Sequence, residues 1–434
     1  MRQLLADKVS GHSVGVWLLV AEHLRLGTWD LLRSWTEQPT ERIEPRLAMQ
    51  LVQEAALCTT GIRRKRALVP RCGFELANGL PFLASDTAVH ELLASHTVDD
   101  AIRLQLALGK LRRAGRDFQG KVLAIDPHRV PSHSRRQMRL HCKNASQKPI
   151  KMAQTFWLLD ADTEQPVCFT MATASRSVAQ ATPGLLDLAA AILGPAPQPA
   201  LVLADAEHYC AELLDHVAQR PEFEMLVPMQ ITQHVRKQMA SIPLADFIPH
   251  WVGLATATQP YTMKRSRAEH HYYQYVQRTG EQPDDWYFKP FLSTAACDAV
   301  ELLTQEFPKR WHVEEFFNAN QALGWQRAGT MNLNVRYGQM TLALIAQAVI
   351  HQLRIRLGDP VNRCDAKHLA KDLFLGLDGD VRVSRDTIIV TCYNAPNADR
   401  LRSHYERLPE KLAQEHISSQ IPWLYGFHLD FRFR

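Results

Sequence analysis

The chain has little that would place it in a membrane. The apolar run from Met340 to Ile350 is broken by Gln347 and stopped by His351, short of the roughly 18 uninterrupted apolar residues that a span needs. The amino terminus carries Arg2, Asp7, Lys8 and His12 in place of an apolar signal core, so a cytoplasmic protein is expected. Cysteine pairs are also missing: Cys58, Cys72, Cys142, Cys168, Cys210, Cys297, Cys364 and Cys392 form no C-x-x-C unit and no Cys/His ladder. That spacing argues against a zinc ribbon and against a disulfide framework. No Walker phosphate loop, dinucleotide-binding glycine fingerprint or G-x-S-x-G elbow stands out. Charge of one sign is scarce too, with 50 Lys plus Arg against 45 Asp plus Glu and a net charge of +5. Affinity for a polyanion must therefore come from local clusters.

The 434 residues are 46% hydrophobic and 22% charged, which is ordinary globular composition. At about 150 residues per domain, two to four folding units are expected. Residues 1–116 show apolar positions at helical spacing over Val14 to Leu26, Ile43 to Cys58, Thr87 to Ser95 and Val98 to Leu111, and predict a helical module. The rhythm then changes. Lys121 to Ile125 reads as a buried strand ending at Asp126-Pro127, and Gln154 to Leu159 with Val167 to Ala172 reads as a hairpin around Asp160 to Pro166. A helix from Pro183 to Leu193, a strand from Ala200 to Ala204 ending at Asp205, a helix from Cys210 to Gln219 and a strand from Phe223 to Val227 follow. This order predicts an α/β core beginning within 117–228. The aromatic-rich stretch 229–294 suits a β-rich insertion, and an amphipathic helix is expected from Ala299 to Leu323 within 295–355. Residues 356–434 are assigned to DNA binding or dimerisation.

Strand-end aspartates often do no more than cap the following turn. Adjacent parallel strands, however, bring their carboxyl ends together, so Asp126 and Asp205 are expected to meet. A pair of hard cations needs a further carboxylate. Glu314 is the best candidate, because Arg310 stands one helical turn before it on the same face. Glu315 is a rival that points about 100° around the helix, and Glu207 is a weaker one.

Phe307, Arg310, Glu314 and Gln321 stand in an F-(2)-R-(3)-E-(6)-Q spacing. This resembles the Y-(2)-R-(3)-E-(6)-K signature of DDE transposases of bacterial insertion sequences, the insertion-sequence-four-like superfamily. Phe291-Leu-Ser-Thr294 is similar to the short strand that ends that family's insertion, and the likeness spans roughly residues 120–355. Phe307 lacks the signature's phenol and Gln321 its ammonium. The resemblance implies an RNase H-like catalytic core with a β-rich insertion before the last catalytic helix. It also implies two Mg2+ ions, with Mn2+ as a substitute, held by Asp126, Asp205 and Glu314 for cleavage and strand transfer at transposon ends. Its further implications are Arg310 at the DNA, double-stranded terminal repeats and target DNA as partners, and a homodimer on paired ends.

Basic clusters supply the polyanion contacts. Between His128 and Lys151 lie Arg129, Arg135, Arg136, Arg139, Lys143, Lys148 and Lys151 with no acid among them. A solvated surface is the usual meaning of such a run, but adjacency to Asp126 favours phosphate contact. Arg63, Arg64, Lys65 and Arg66 form a second cluster, and Lys264, Arg265 and Arg267 a third, followed by tyrosines that either stack on bases or form the core face of a β-hairpin. Trp286 is the candidate for stacking on a flipped base. The alternatives are an RNase H-like nuclease without integration and a domesticated transposase that only binds DNA.

Overall fold

The computed structural model describes residues 8–37, 44–60, 73–132, 137, 140–141, 148–173, 176–263, 266, 270–325, 330 and 332–434. The fold is mixed α/β and divides into two compact units, one of residues 1–111 with 317–434 and one of residues 112–316. The helical amino-terminal segment and the carboxy-terminal segment thus share a unit, and the second boundary falls inside a helix. No helix among the described residues is long and apolar enough to cross a membrane. The six described cysteines are free; Cys72 and Cys142 lie outside the described residues.

The discontinuous unit contains β1 (Val9–His12), α1 (Val16–Leu26), α2 (Thr28–Thr36), α3 (Glu44–Ala56), α4 (Phe74–Ala77) and α5 (Asp86–Ser95), while α6 (Val98–Ala114) leads out of it. Ser85 caps α5 by accepting from the Ala88 N–H. The chain returns to this unit for a 25-residue helix, Leu333–Leu357, buried on nearly every side and packed against α1, α3 and α5. Gly338 permits that packing, since a Cβ there would sit 3.0 Å from Leu93 Cδ2. A four-stranded sheet joins β1 to three strands near the carboxyl terminus, Asp378–Ser384, Thr387–Cys392 and His428–Phe433.

The continuous unit is built on one sheet of ten strands. Its first strands are β2 (Val122–Pro131), β3 (Leu140–His141), β4 (Ile150–Asp160) and β5 (Gln165–Thr173). Next come α7 (Val178–Leu193), β6 (Ala200–Leu203), α8 (Ala211–Ala218) and β7 (Phe223–Pro228). After α9 (Gln233–Ala240) follow β8 (Ile248–Trp251), β9 (Leu254–Tyr261), β10 (Tyr272–Thr279) and β11 (Tyr287–Ser293). The sheet order is β3-β4-β2-β6-β7-β11-β10-β9-β8, with β5 also paired to β4. β2, β6 and β7 are parallel, and β4 and β5 antiparallel. Helix α7 covers β4 and β5, and α8 packs on β7. The strands of the aromatic-rich stretch therefore extend the same sheet, through the pairing of Phe291 with Pro228 and of Leu292 with Val227.

Three local expectations are corrected. Helix α7 starts at Val178 and not at Pro183, because Ser177 and Gln180 form a reciprocal capping box upstream of the proline. β2 does not end at Asp126 but runs to Pro131 along β4. Proline is tolerated there because the other neighbour, β6, has already ended its pairing at Ala124–Leu203. The helix expected from Ala299 to Leu323 is broken into a π segment (Glu301–Glu306), a 3-10 turn (Phe307–Trp311), α10 (His312–Asn320) and a second 3-10 turn (Gln321–Leu323). Pro308 explains the first breaks: it has no N–H to donate, and its ring crowds the carbonyl four residues back.

Candidate active site

Register brings the two aspartates together. Val122, Leu123 and Ala124 of β2 stand opposite Leu201, Val202 and Leu203 of β6. Asp126 on β2 and Asp205 just past the end of β6 each follow two residues beyond the Ala124–Leu203 pair. The hairpin beyond β4 is fixed by the buried Asp160 carboxylate, which accepts from the Gln119 and Gly120 N–H groups at 2.7 and 2.6 Å and from the Thr163 N–H at 3.0 Å. Trp157, opposite Asp126 in β4, is fully buried against Phe169 and Phe316 and anchors this part of the sheet.

Asp205 does cap a turn, its Oδ1 accepting from the Glu207 N–H at 3.1 Å, but it also meets His208 Nδ1 at 2.6 Å. Burial by itself would raise the Asp205 carboxyl. The His208 hydrogen bond and charge, the Glu207 N–H and Arg310 outweigh it and hold the group below the usual carboxylate range. Asp126 goes the other way. Burial first and Asp205 next, with a contribution from Glu314, push it up to about 7 against the pull of Arg310 and Arg129.

Glu314 joins them from the first turn of α10. Arg310 in the preceding 3-10 turn spans the gap, with Nη2 3.2 Å from Glu314 Oε1 and Nη1 3.7 Å from Asp126 Oδ1. Asp126 and Glu314 thus share Arg310, and Asp205 acts on Asp126 and Arg310 through its charge, although among the described residues the three ligating groups that all lie within 4.8 Å of one another are Glu164, His312 and Glu315. Asp126, Asp205 and Glu314 supply hard oxygen donors of the kind that Mg2+ or Mn2+ takes.

Of the two rivals for the third carboxylate, Glu207 is paired and Glu315 belongs to a separate group that could itself hold a cation. Glu207 receives two hydrogen bonds from Arg129, one of 2.8 Å, and Arg129 also donates to Gln154 Oε1 at 2.9 Å. Glu315 stands with Glu164 and His312, their ligating atoms within 4.8 Å of one another, while His312 Nδ1 donates to the Ala161 carbonyl at 2.7 Å. The indole of Trp286 carries the Arg278 guanidinium 4.1 Å from its ring centroid, so one of its faces is already covered. Arg63, Arg64, Lys65, Arg66, Arg135, Arg136, Arg139, Lys143, Lys264, Arg265 and Arg267 lie outside the described residues. Sequence reasoning missed the His208 contact, although Asp205-x-x-His208 carried the signal, and it missed the bond between Arg129 and Glu207, which no local spacing announces.

No protein-family model matches the chain, and no curated protein matches it. Among solved structures it is similar to a piggyBac transposase synaptic complex with hairpin DNA, determined by cryo-electron microscopy. The identity is 12% and the TM-score 0.44, over 82% of this chain and 79% of that one.

Proposed function

We propose that the chain is a DDE transposase with an RNase H-like core, using Asp126, Asp205 and Glu314 to hold two divalent ions for DNA cleavage and strand transfer. The observation that carries the reading is that Asp126 of β2 and Glu314 of α10 share the Arg310 guanidinium while the register of β2 and β6 sets Asp205 level with Asp126. A hairpin followed by alternating helices and strands, with one aspartate on β2 and the other just past the end of its parallel neighbour β6, supports the same architecture.

When bound, the ions would supply Lewis-acid stabilisation of charge developing on the attacking and leaving oxygens of an in-line displacement. The protein's own groups set the conditions. Asp126 must give up the proton that its surroundings favour before it can act as a ligand, so cation binding is coupled to proton release. His208 keeps Asp205 ionised and fixes the direction of its Oδ1. Arg310 keeps Asp126 and Glu314 from repelling one another and adds a fixed positive charge where a phosphodiester would enter.

The test is incubation of the full chain with Mg2+ and DNA carrying its element's ends. Asp126→Asn, Asp205→Asn and Glu314→Gln should each abolish cleavage while leaving DNA binding measurable. Retained cleavage in any one removes that residue from the site. Cleavage without joined products would replace the transposase reading with a nuclease.

A further inference from the structure

The strand that closes the pairing on β7 carries a cation the site has not yet used. Along β11, Lys289 and Phe291 share one face, while Phe288 on the other packs against Phe247 with ring centroids 5.6 Å apart. The Lys289 ammonium lies 5.1 Å from the Phe291 ring centroid and 5.2 Å from that of Phe307. Those two rings meet edge to face at 4.8 Å and form an apolar floor. Phe307 opens the 3-10 turn that carries Arg310, so the floor ties the lysine of the sheet to the arginine of the site.

Lys289 is half-buried, and no carboxylate partners it among the described residues. Burial first and the positive charge of Arg310 second hold its ammonium below the usual lysine range. Attraction to ring faces is weaker than pairing with an anion and does not offset a neighbouring guanidinium. Arg310 is already paired with Asp126 and Glu314, so Lys289 is the cation beside the carboxylates whose charge an incoming anion would balance. A lysine that merely packs its stem on apolar surface would send its head into water, away from Arg310.

We propose that Lys289 is a phosphate-binding residue that, with Arg310, grips a backbone phosphate of the DNA next to the carboxylates. This rests on the transposase reading above and names one of that site's substrate contacts. The aromatic floor fixes the ammonium's position without neutralising it, which leaves its charge for the phosphodiester.

Binding of the full-length protein to a labelled 30-base-pair duplex, followed by fluorescence anisotropy from 50 to 200 mM KCl in EDTA, tests the proposal. Loss of one phosphate contact reduces the slope of log affinity against log salt by about 0.9. Wild type should therefore lose about 3.5-fold more affinity across this range than Lys289→Met, whereas Lys289→Arg should keep the wild-type slope. An unchanged slope in the Met variant, or a wild-type affinity indifferent to salt, overturns the proposal. Should the Met variant fail to fold, amine-reactive labelling of wild type decides: Lys289 should be protected by the duplex, and equal labelling with and without DNA overturns the assignment. Plasmid nicking in Mg2+ by wild type and Asp126→Asn, run in parallel, separates the two levels. Nicking that survives the Asn substitution removes the carboxylate reading, while an unchanged salt slope removes Lys289 alone.

Discussion

Replacing Asp126 by asparagine should stabilise the metal-free protein. The carboxyl at this position is raised from 3.8 to about 7 by burial and by Asp205. Between those two values the folded state holds a proton that the unfolded chain releases, so stability falls as pH rises through this window. Above pH 7 the full cost is present, and the gap corresponds to about 4 kcal/mol at ~1.36 kcal/mol per pH unit. Asparagine does not ionise and escapes that cost, a figure from which the 3.7 Å attraction to Arg310 is already subtracted. The net gain at pH 8 in EDTA should be about 4 kcal/mol, read as a rise of roughly 8 to 16 °C in the melting temperature of a unit of this size. At pH 4 the gain should nearly vanish. Saturating Mg2+ should narrow the gap, because a ligand at 100 times its Kd stabilises wild type by about 2.7 kcal/mol and the variant far less. An asparagine variant less stable than wild type at pH 8 in EDTA, or a difference that does not change with pH, would refute the electrostatic account of the site.

Other substitutions probe separate links. His208→Ala should let burial raise the Asp205 carboxyl, weakening Mg2+ affinity by about 10- to 100-fold in calorimetric titration; an unchanged affinity would dismiss the histidine as a positioning group. Because Asp205 is depressed in the folded state, its contribution to stability is present above its unfolded value and is lost as pH falls through the folded one, and His208→Ala should shrink that acid-side loss in urea unfolding. Glu315→Gln should leave cleavage within about twofold of wild type while Glu314→Gln abolishes it; the opposite ranking would exchange their roles. In the discontinuous unit, Glu22 is fully buried against Arg25 at 2.8 Å, Arg356 at 3.3 Å and the Tyr405 hydroxyl at 2.8 Å. Glu22→Gln should cost about 3 to 5 kcal/mol in urea unfolding, and a cost below about 1 kcal/mol would mean that the two arginines find other partners.

Much of the core was legible because its signals are local. Apolar runs bounded by turn formers marked β2, β4, β5, β6 and β7, and the spacing of Arg310 and Glu314 survives as a direct contact although the helix around it is broken. What escaped was set by partners distant in sequence. That β2 continues past Pro127 depends on where β6 stops, and that β8 to β11 join the central sheet depends on Phe291 and Leu292 finding β7. The pairing of Val9 with Val381 is more remote still, and no periodicity within either segment announces it. The break at Phe307–Trp311 was the exception, since Pro308 stood in plain view and its conflict with an unbroken helix follows from covalent geometry.

The in-phase pairing of β2 with β6 bears on which length changes the chain can absorb. Side chains alternate between the two faces of a sheet, so deleting one residue between Val122 and Asp126 would send that aspartate to the opposite side even if every remaining ladder bond re-formed. The proline-rich connection at 194–199 enters β6 from its other end and carries no such parity. Descendants of this gene should thus vary freely in length between α7 and β6, whereas an odd-numbered change inside β2 would leave a folded protein with its chemistry facing the wrong way.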